Sequence, residues 1–103
     1  MLAAGRTHRF RLLNLGVALN VRFQLRQDTT TAEWRARAED GADLAPALRV
    51  LQPAAQIVAV GETFDFELTP APGVYELTAV FQHPTGFAPV GPAQRWRQRL
   101  VIR

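Results

Sequence analysis

Apolar and polar residues alternate along most of this chain. In LNVRFQLRQ, Leu19, Val21, Phe23 and Leu25 fall on one side and Asn20, Arg22, Gln24 and Arg26 on the other. That is the period-two signature of a half-buried strand. HRFRLL sets His8, Phe10 and Leu12 against Arg9, Arg11 and Leu13, and EWRARAE sets Trp34, Ala36 and Ala38 against Glu33, Arg35, Arg37 and Glu39. TFDFELT turns Phe64, Phe66 and Leu68 inward, and VYELTAVFQ turns Tyr75, Leu77, Ala79 and Phe81 the same way. RWRQRLVIR closes the chain with Trp96, Gln98, Leu100 and Ile102 opposite Arg95, Arg97, Arg99, Val101 and Arg103. QIVAV is a short apolar strand stopped by Gly61.

Turn chemistry separates these runs. Asn14 and Gly16 punctuate the first two, DTTT is a polar loop, and DGAD from Asp40 to Asp43 is a turn signal. LAPALRVLQPA holds Pro46 and Pro53, which rule out a long helix or a central strand there. It reads as a crossover between sheets with room for one helical turn. About seven strands at short spacing, joined by Gly/Pro corners, predict an all-β sandwich with Greek-key connections. The 103 residues make a single domain, 1–103, with Met1–Gly5 expected to be a disordered or cloning-derived start.

Composition narrows the chemistry. No cysteine is present, which excludes disulfides, iron–sulfur clusters and thiolate metal sites. All 12 cations are arginine, giving a net charge of +3 and a pI near 11.0. A +3 spread evenly says little about nucleic acid, whereas a clustered one says more. Charged residues interrupt every apolar run, so no membrane span is predicted. MLAAGRTHRF lacks the apolar core of a signal peptide. There is no serine, no G-x-S-x-G elbow and no Gly-rich phosphate loop ahead of a helix. Glu39, Asp40 and Asp43 in EDGAD are too few for a calcium loop and read as a solvated turn.

The order of segments resembles a known family. RFRLLN opens the domain, DGADL follows, a Pro-bounded crossover comes next, and VGETFDFELTPAPGVYEL lies near the end. This resembles the non-catalytic middle domain of multicopper oxidases over roughly Arg6 to Phe81, most specifically in GETFDFELTPAPGVY. The resemblance implies a Greek-key sandwich of cupredoxin-like, hence immunoglobulin-like, build. It implies a copper-free structural or interaction domain that braces or docks neighbouring domains or another protein chain. Such a chain has no enzyme activity of its own, but belongs to an oxidoreductase if it is part of a larger one. The family resemblance also suggests a periplasmic or secreted setting.

The same residues have physical readings of their own. Arg9 or Arg11 is placed to pair with Asp65 or Glu67, an arginine–carboxylate fork that fixes strand register. Gly61 is expected at a tight or bulged approach, and Gly73 at positive φ closing the Pro-Ala-Pro-Gly corner. Tyr75 is a candidate tyrosine corner, with its ring buried and its hydroxyl on loop backbone.

A type 1 copper site needs two histidines and a cysteine. By the resemblance, Ala79 falls near the cysteine's place and His83 near that of a following histidine; the remaining histidine is His8. The expectation is therefore no cofactor and no metal. A metal held by His8 and His83 with nearby carboxylates is a further alternative, set against His83 as a turn residue and His8 as half-buried in a strand.

Two surfaces invite other readings. If the third and last strands lie side by side, Arg35, Arg37, Arg95, Arg97 and Arg99 form one basic patch. That patch suits nucleic acid or another polyanion, though with no nucleic-acid motif the plain reading is a solvated face. PTGFAPVGP carries Phe87 and Val90, either as a stiff connector folded back on the sandwich or as a docking loop.

Overall fold

A computed structural model describes residues 2–15, 19–82 and 95–103. Its strands are β1 (His8–Leu13), β2 (Asn20–Gln27), β3 (Thr30–Thr31), β4 (Glu33–Glu39), β5 (Ala42–Asp43), β6 (Leu51–Pro53), β7 (Ala55–Val58), β8 (Thr63–Leu68), β9 (Gly73–Gln82) and β10 (Arg95–Ile102). Every run that alternates in the sequence is a strand. β3, β5 and β6 are short additions: β3 and β5 lie within the stretches read as loop and turn, and β6 lies in the crossover.

The strands form two antiparallel sheets. The first has the order β1-β8-β4-β5, with β6 also on β4; the second has the order β10-β9-β2-β3, with β7 also on β2. The core lies between them. Leu12, Trp34, Phe66 and Leu68 from the first sheet meet Leu25, Val58, Tyr75 and Ile102 from the second. Trp34 is fully buried. Its ring stacks on Phe66 at 4.4 Å between centroids and 12° between planes, and Phe10 meets it edge-on at 6.4 Å. Such ring pairs add about 0.5–1.5 kcal/mol beyond their buried area. The sequence pattern is thus a β-sandwich in fact, because two half-apolar sheets have only each other to cover.

Local chemistry explains the corners. Asp40 and Gly41, at φ 51° and 80°, join β4 to β5 as a two-residue hairpin loop, the conformation Asp-Gly favours. The Pro-bounded stretch makes a single turn of 3-10 helix at Pro46–Leu48. The chain then changes sheets at Ala54, which is fully buried: β6 before it pairs with β4 and β7 after it pairs with β2.

Both glycines of the signature take positive φ, as the sequence suggests for Gly73. Gly61 has φ 82° and open space where a Cβ would point, so the turn Ala59–Glu62 needs its left-handed backbone rather than a close approach. Gly73, at φ 152°, has the backbone expected of it, and a Cβ there would also meet the movable end of the Gln27 side chain.

The lead-in anticipated over Met1–Gly5 is, over residues 2–5, bonded into the fold. Leu2 N donates to Val101 O at 3.1 Å, Arg103 N to Leu2 O at 3.1 Å, and Ala4 N to Arg103 O at 2.8 Å. Gly5 N donates to Pro70 O at 3.0 Å. No helix among the described residues is long and apolar enough to cross a membrane.

Candidate functional site

The signature residues converge on the outer face of the first sheet. Asp65 stands opposite Arg11, and Glu67 opposite Arg9, in the β1–β8 register. Asp65 points away from the core, as alternation requires, yet it is only 2% exposed. Two guanidinium groups cover it. Arg11 donates from Nε to Oδ1 and from Nη2 to Oδ2, both at 3.0 Å, and Arg9 Nε donates to Oδ2 at 2.7 Å. The Arg11 hydrogen bonds hold the Asp65 carboxyl below the usual carboxylate range; burial opposes this, and Arg9 adds to it. The same bonds raise Arg11 above its ordinary value.

The network extends across the sheet. Arg9 Nη2 lies 3.7 Å from Asp43 Oδ1, and Arg37 Nη2 lies 3.6 Å from Asp43 Oδ2. Arg37 Nε is 3.1 Å from Glu67 Oε1, an ion pair whose angle is off that of a hydrogen bond. A register shift between Ala36 and Ala38 against β8 makes Arg37 the extra residue of a bulge, which re-aims its side chain. Three arginines therefore alternate with three carboxylates in the order Arg11, Asp65, Arg9, Asp43, Arg37, Glu67.

Other signature residues brace the same frame. Asn14 is buried and donates from Nδ2 to Leu19 O at 2.8 Å and Val58 O at 3.0 Å. Asp40 Oδ1 accepts from Thr63 N at 2.9 Å, so the EDGAD carboxylates hold backbone and arginines rather than an ion. Tyr75 is buried, and its hydroxyl donates to Ala71 O at 3.1 Å, across the Pro-Ala-Pro-Gly corner.

The basic patch is not where the sequence suggests. Arg35 and Arg37 lie on β4 in the first sheet, whereas Arg95, Arg97 and Arg99 lie on β10 in the second. They cannot share a face. Arg37 is consumed by Asp43 and Glu67, and Arg35 Nη1 donates to Arg49 O at 2.8 Å. In their place stand Arg22 and Arg26 of β2. Across β9 the rows are Arg22–Val80–Arg95, Gln24–Thr78–Arg97 and Arg26–Glu76–Arg99. Alternation marked Arg22 and Arg26 as outward; that β9 sits between β2 and β10 was the missing fact.

This second face is a trough of about 400 Å³ lined by Arg22, Gln24, Arg26, Glu76, Thr78, Val80, Arg95 and Arg97. With strands about 4.8 Å apart, its two arginine rows stand about 10 Å apart over β9. Arg22 Nη1 donates to Gln24 Oε1 at 3.2 Å, and Arg26 Nη2 to Thr29 O at 3.4 Å. Arg95, Arg97 and Arg99 are exposed, and none of the nine carboxylates, all of which lie in described residues, comes within 4.0 Å of them.

Of the two metal candidates only His8 lies among the described residues. His8 is half-buried, and its Nε2 sits 2.9 Å from Ala3 O. His83, like Phe87 and Val90, lies outside the described residues. Among the described residues no group of three or more His, Cys, Asp or Glu side chains is arranged to hold a metal. A type 1 copper does not fit at Ala79, where the resemblance drawn from the sequence would put its cysteine. Ala79 presents a buried methyl group beside Val21, Phe23 and Phe81, with no sulfur donor. That end of the sandwich is an apolar mouth of about 610 Å³, where Leu13, Leu15 and Trp96 stay exposed.

The chain matches no family model, no curated protein and no solved structure.

Proposed function

We propose that this chain is a copper-free, cupredoxin-like Greek-key domain of the multicopper-oxidase type. Its work is to brace and dock protein domains, and it carries no redox centre of its own. One observation carries this reading: the residues on which the resemblance rests are spent on holding the fold. Arg9 and Arg11 clamp Asp65, Asn14 and Asp40 tie the first corners to the distant backbone of Val58 and Thr63, and Tyr75 bonds across the last. A signature used in this way specifies a frame, not a reaction.

Two measurements test it together. After incubation with Cu(I), Cu(II) or Zn(II) and desalting, the isolated chain is expected to retain no stoichiometric metal. Co-expression with the segments encoded on either side in the same reading frame is expected to give one unit. Its oxidase activity falls when this domain is deleted. Stoichiometric copper on the isolated chain, or a reading frame without His-x-His copper motifs, overturns the proposal.

A further inference from the structure

The trough on the second sheet carries the whole net charge of the molecule. Five arginines, Arg22, Arg26, Arg95, Arg97 and Arg99, meet Glu76 on the floor and Asp28 at one end. That leaves +3 here, while the other seven arginines are matched by the other seven carboxylates. Folding has no use for this concentration, since like charges two residues apart on β10, and on the two strands that flank β9, repel. On the first sheet the same chain places carboxylates between its arginines. On the second, Glu76 alone stands between two of them, and it pairs with neither.

We propose that this trough docks an extended acidic segment of a partner protein, independently of the copper-oxidase reading above. The spacing is that of a peptide. Arg95, Arg97 and Arg99 repeat every two residues, about 6.7 Å, which is the repeat of same-side carboxylates on an extended chain. A peptide lying along β9 sends successive side chains alternately left and right. One side meets Arg95, Arg97 and Arg99, and the other meets Arg22, Gln24 and Arg26. Guanidinium forks suit carboxylates, and the small floor residues Thr78 and Val80 leave room for a backbone. Arg22 and Arg26 are already tethered through Gln24 and Thr29, which lowers the ordering cost on binding.

Two features favour a peptide over a nucleic acid. No aromatic side chain lines the trough between Arg22 and Arg95, and Tyr75 at its Asp28 end is buried, so no exposed ring is offered to a base. Glu76 stands in the row between Arg26 and Arg99. A phosphate backbone carries charge at every repeat and must place one against that carboxylate. A peptide can put a neutral or basic residue there.

The test is fluorescence anisotropy with a labelled peptide matched in length to the eight residues of β10, Asp and Glu throughout except for one neutral Gly placed to face Glu76. Its Asn/Gln counterpart, a single-stranded oligonucleotide of equal charge and vesicles containing anionic lipid serve as competitors. The acidic peptide is expected to bind, more weakly as salt rises. The double variant Arg97→Glu/Arg99→Glu is expected to lose about tenfold in affinity while keeping its melting curve, whereas Arg35→Ala on the other sheet changes affinity less than about twofold. Absence of binding, equal binding of the Asn/Gln peptide, tighter binding of the oligonucleotide or vesicles, or an unaffected double variant overturns the proposal.

Discussion

The outer faces of the two sheets carry the same cation to different ends. On the first, three arginines are threaded between three carboxylates, one of them buried beneath its partners. On the second, five arginines flank a shallow floor, with Glu76 between two of them. One arrangement is closed, because each charge finds its complement inside the chain and fixes the register of β1 on β8 and of β4 on β5. The other is open, and its complement has to come from elsewhere. Charge in a β-sandwich is thus either an internal fastening or an external address. The position of the carboxylates, rather than the number of arginines, decides which.

The largest effect that tests this contrast is expected on the closed face. Removing Arg9 and Arg11 together takes from Asp65 both its cations and its cover, and because water then reaches the carboxylate the cost in urea unfolding is expected near the lower end for a broken buried pair, about 3 kcal/mol. Asp65→Asn is expected to cost less, about 2 kcal/mol, because Arg9 and Arg11, with side chains 44% and 60% exposed, then turn to water. Its pH signature has a definite sign. The folded carboxyl lies below its unfolded value of about 3.9, so its stabilisation is complete above that pH and is lost as pH falls through the folded value. The stability curves of the native chain and Asp65→Asn are therefore expected to stand apart near neutrality and converge below about pH 4.

Tyr75→Phe, which touches neither face, gives a yardstick of about 1 kcal/mol for one lost hydrogen bond to Ala71. The smallest effect is expected on the open face. Arg97→Ala with Arg99→Ala is expected to change stability by less than about 0.5 kcal/mol. The sign is towards a slightly higher melting temperature at low salt, fading as salt approaches about 1 M. A loss of several kcal/mol here would erase the distinction between the faces.

Much of this was legible in the chain because side-chain alternation is local. The inward set of β9, from Tyr75 to Phe81, follows from period two alone, and the Asp40-Gly41 loop from its dipeptide. What alternation cannot supply is adjacency. Arg35 and Arg37 alternate just as Arg95, Arg97 and Arg99 do, yet they lie on opposite sheets, because strand order depends on contacts far apart in sequence. Asp65 shows the other limit: outward on its strand is not the same as exposed, since cover comes from the neighbouring strand. The glycines show a third. The positive φ of Gly73 follows from its turn, but the Gln27 amide that a Cβ there would meet comes from nearly half the chain away, and no turn rule contains that information.

The hydrogen bonds between Leu2, Val101 and Arg103 have a consequence for how the chain reaches its native state. The stretch that enters the domain is secured by the stretch that leaves it, so this latch closes only after Arg103 has been added. Most of the other fastenings also join distant stretches, Arg11 to Asp65 among them, so slow folding as a single unit is expected. Because entry and exit lie at one corner of the sandwich, the whole domain can be spliced into a surface loop of a host protein without forcing that loop apart.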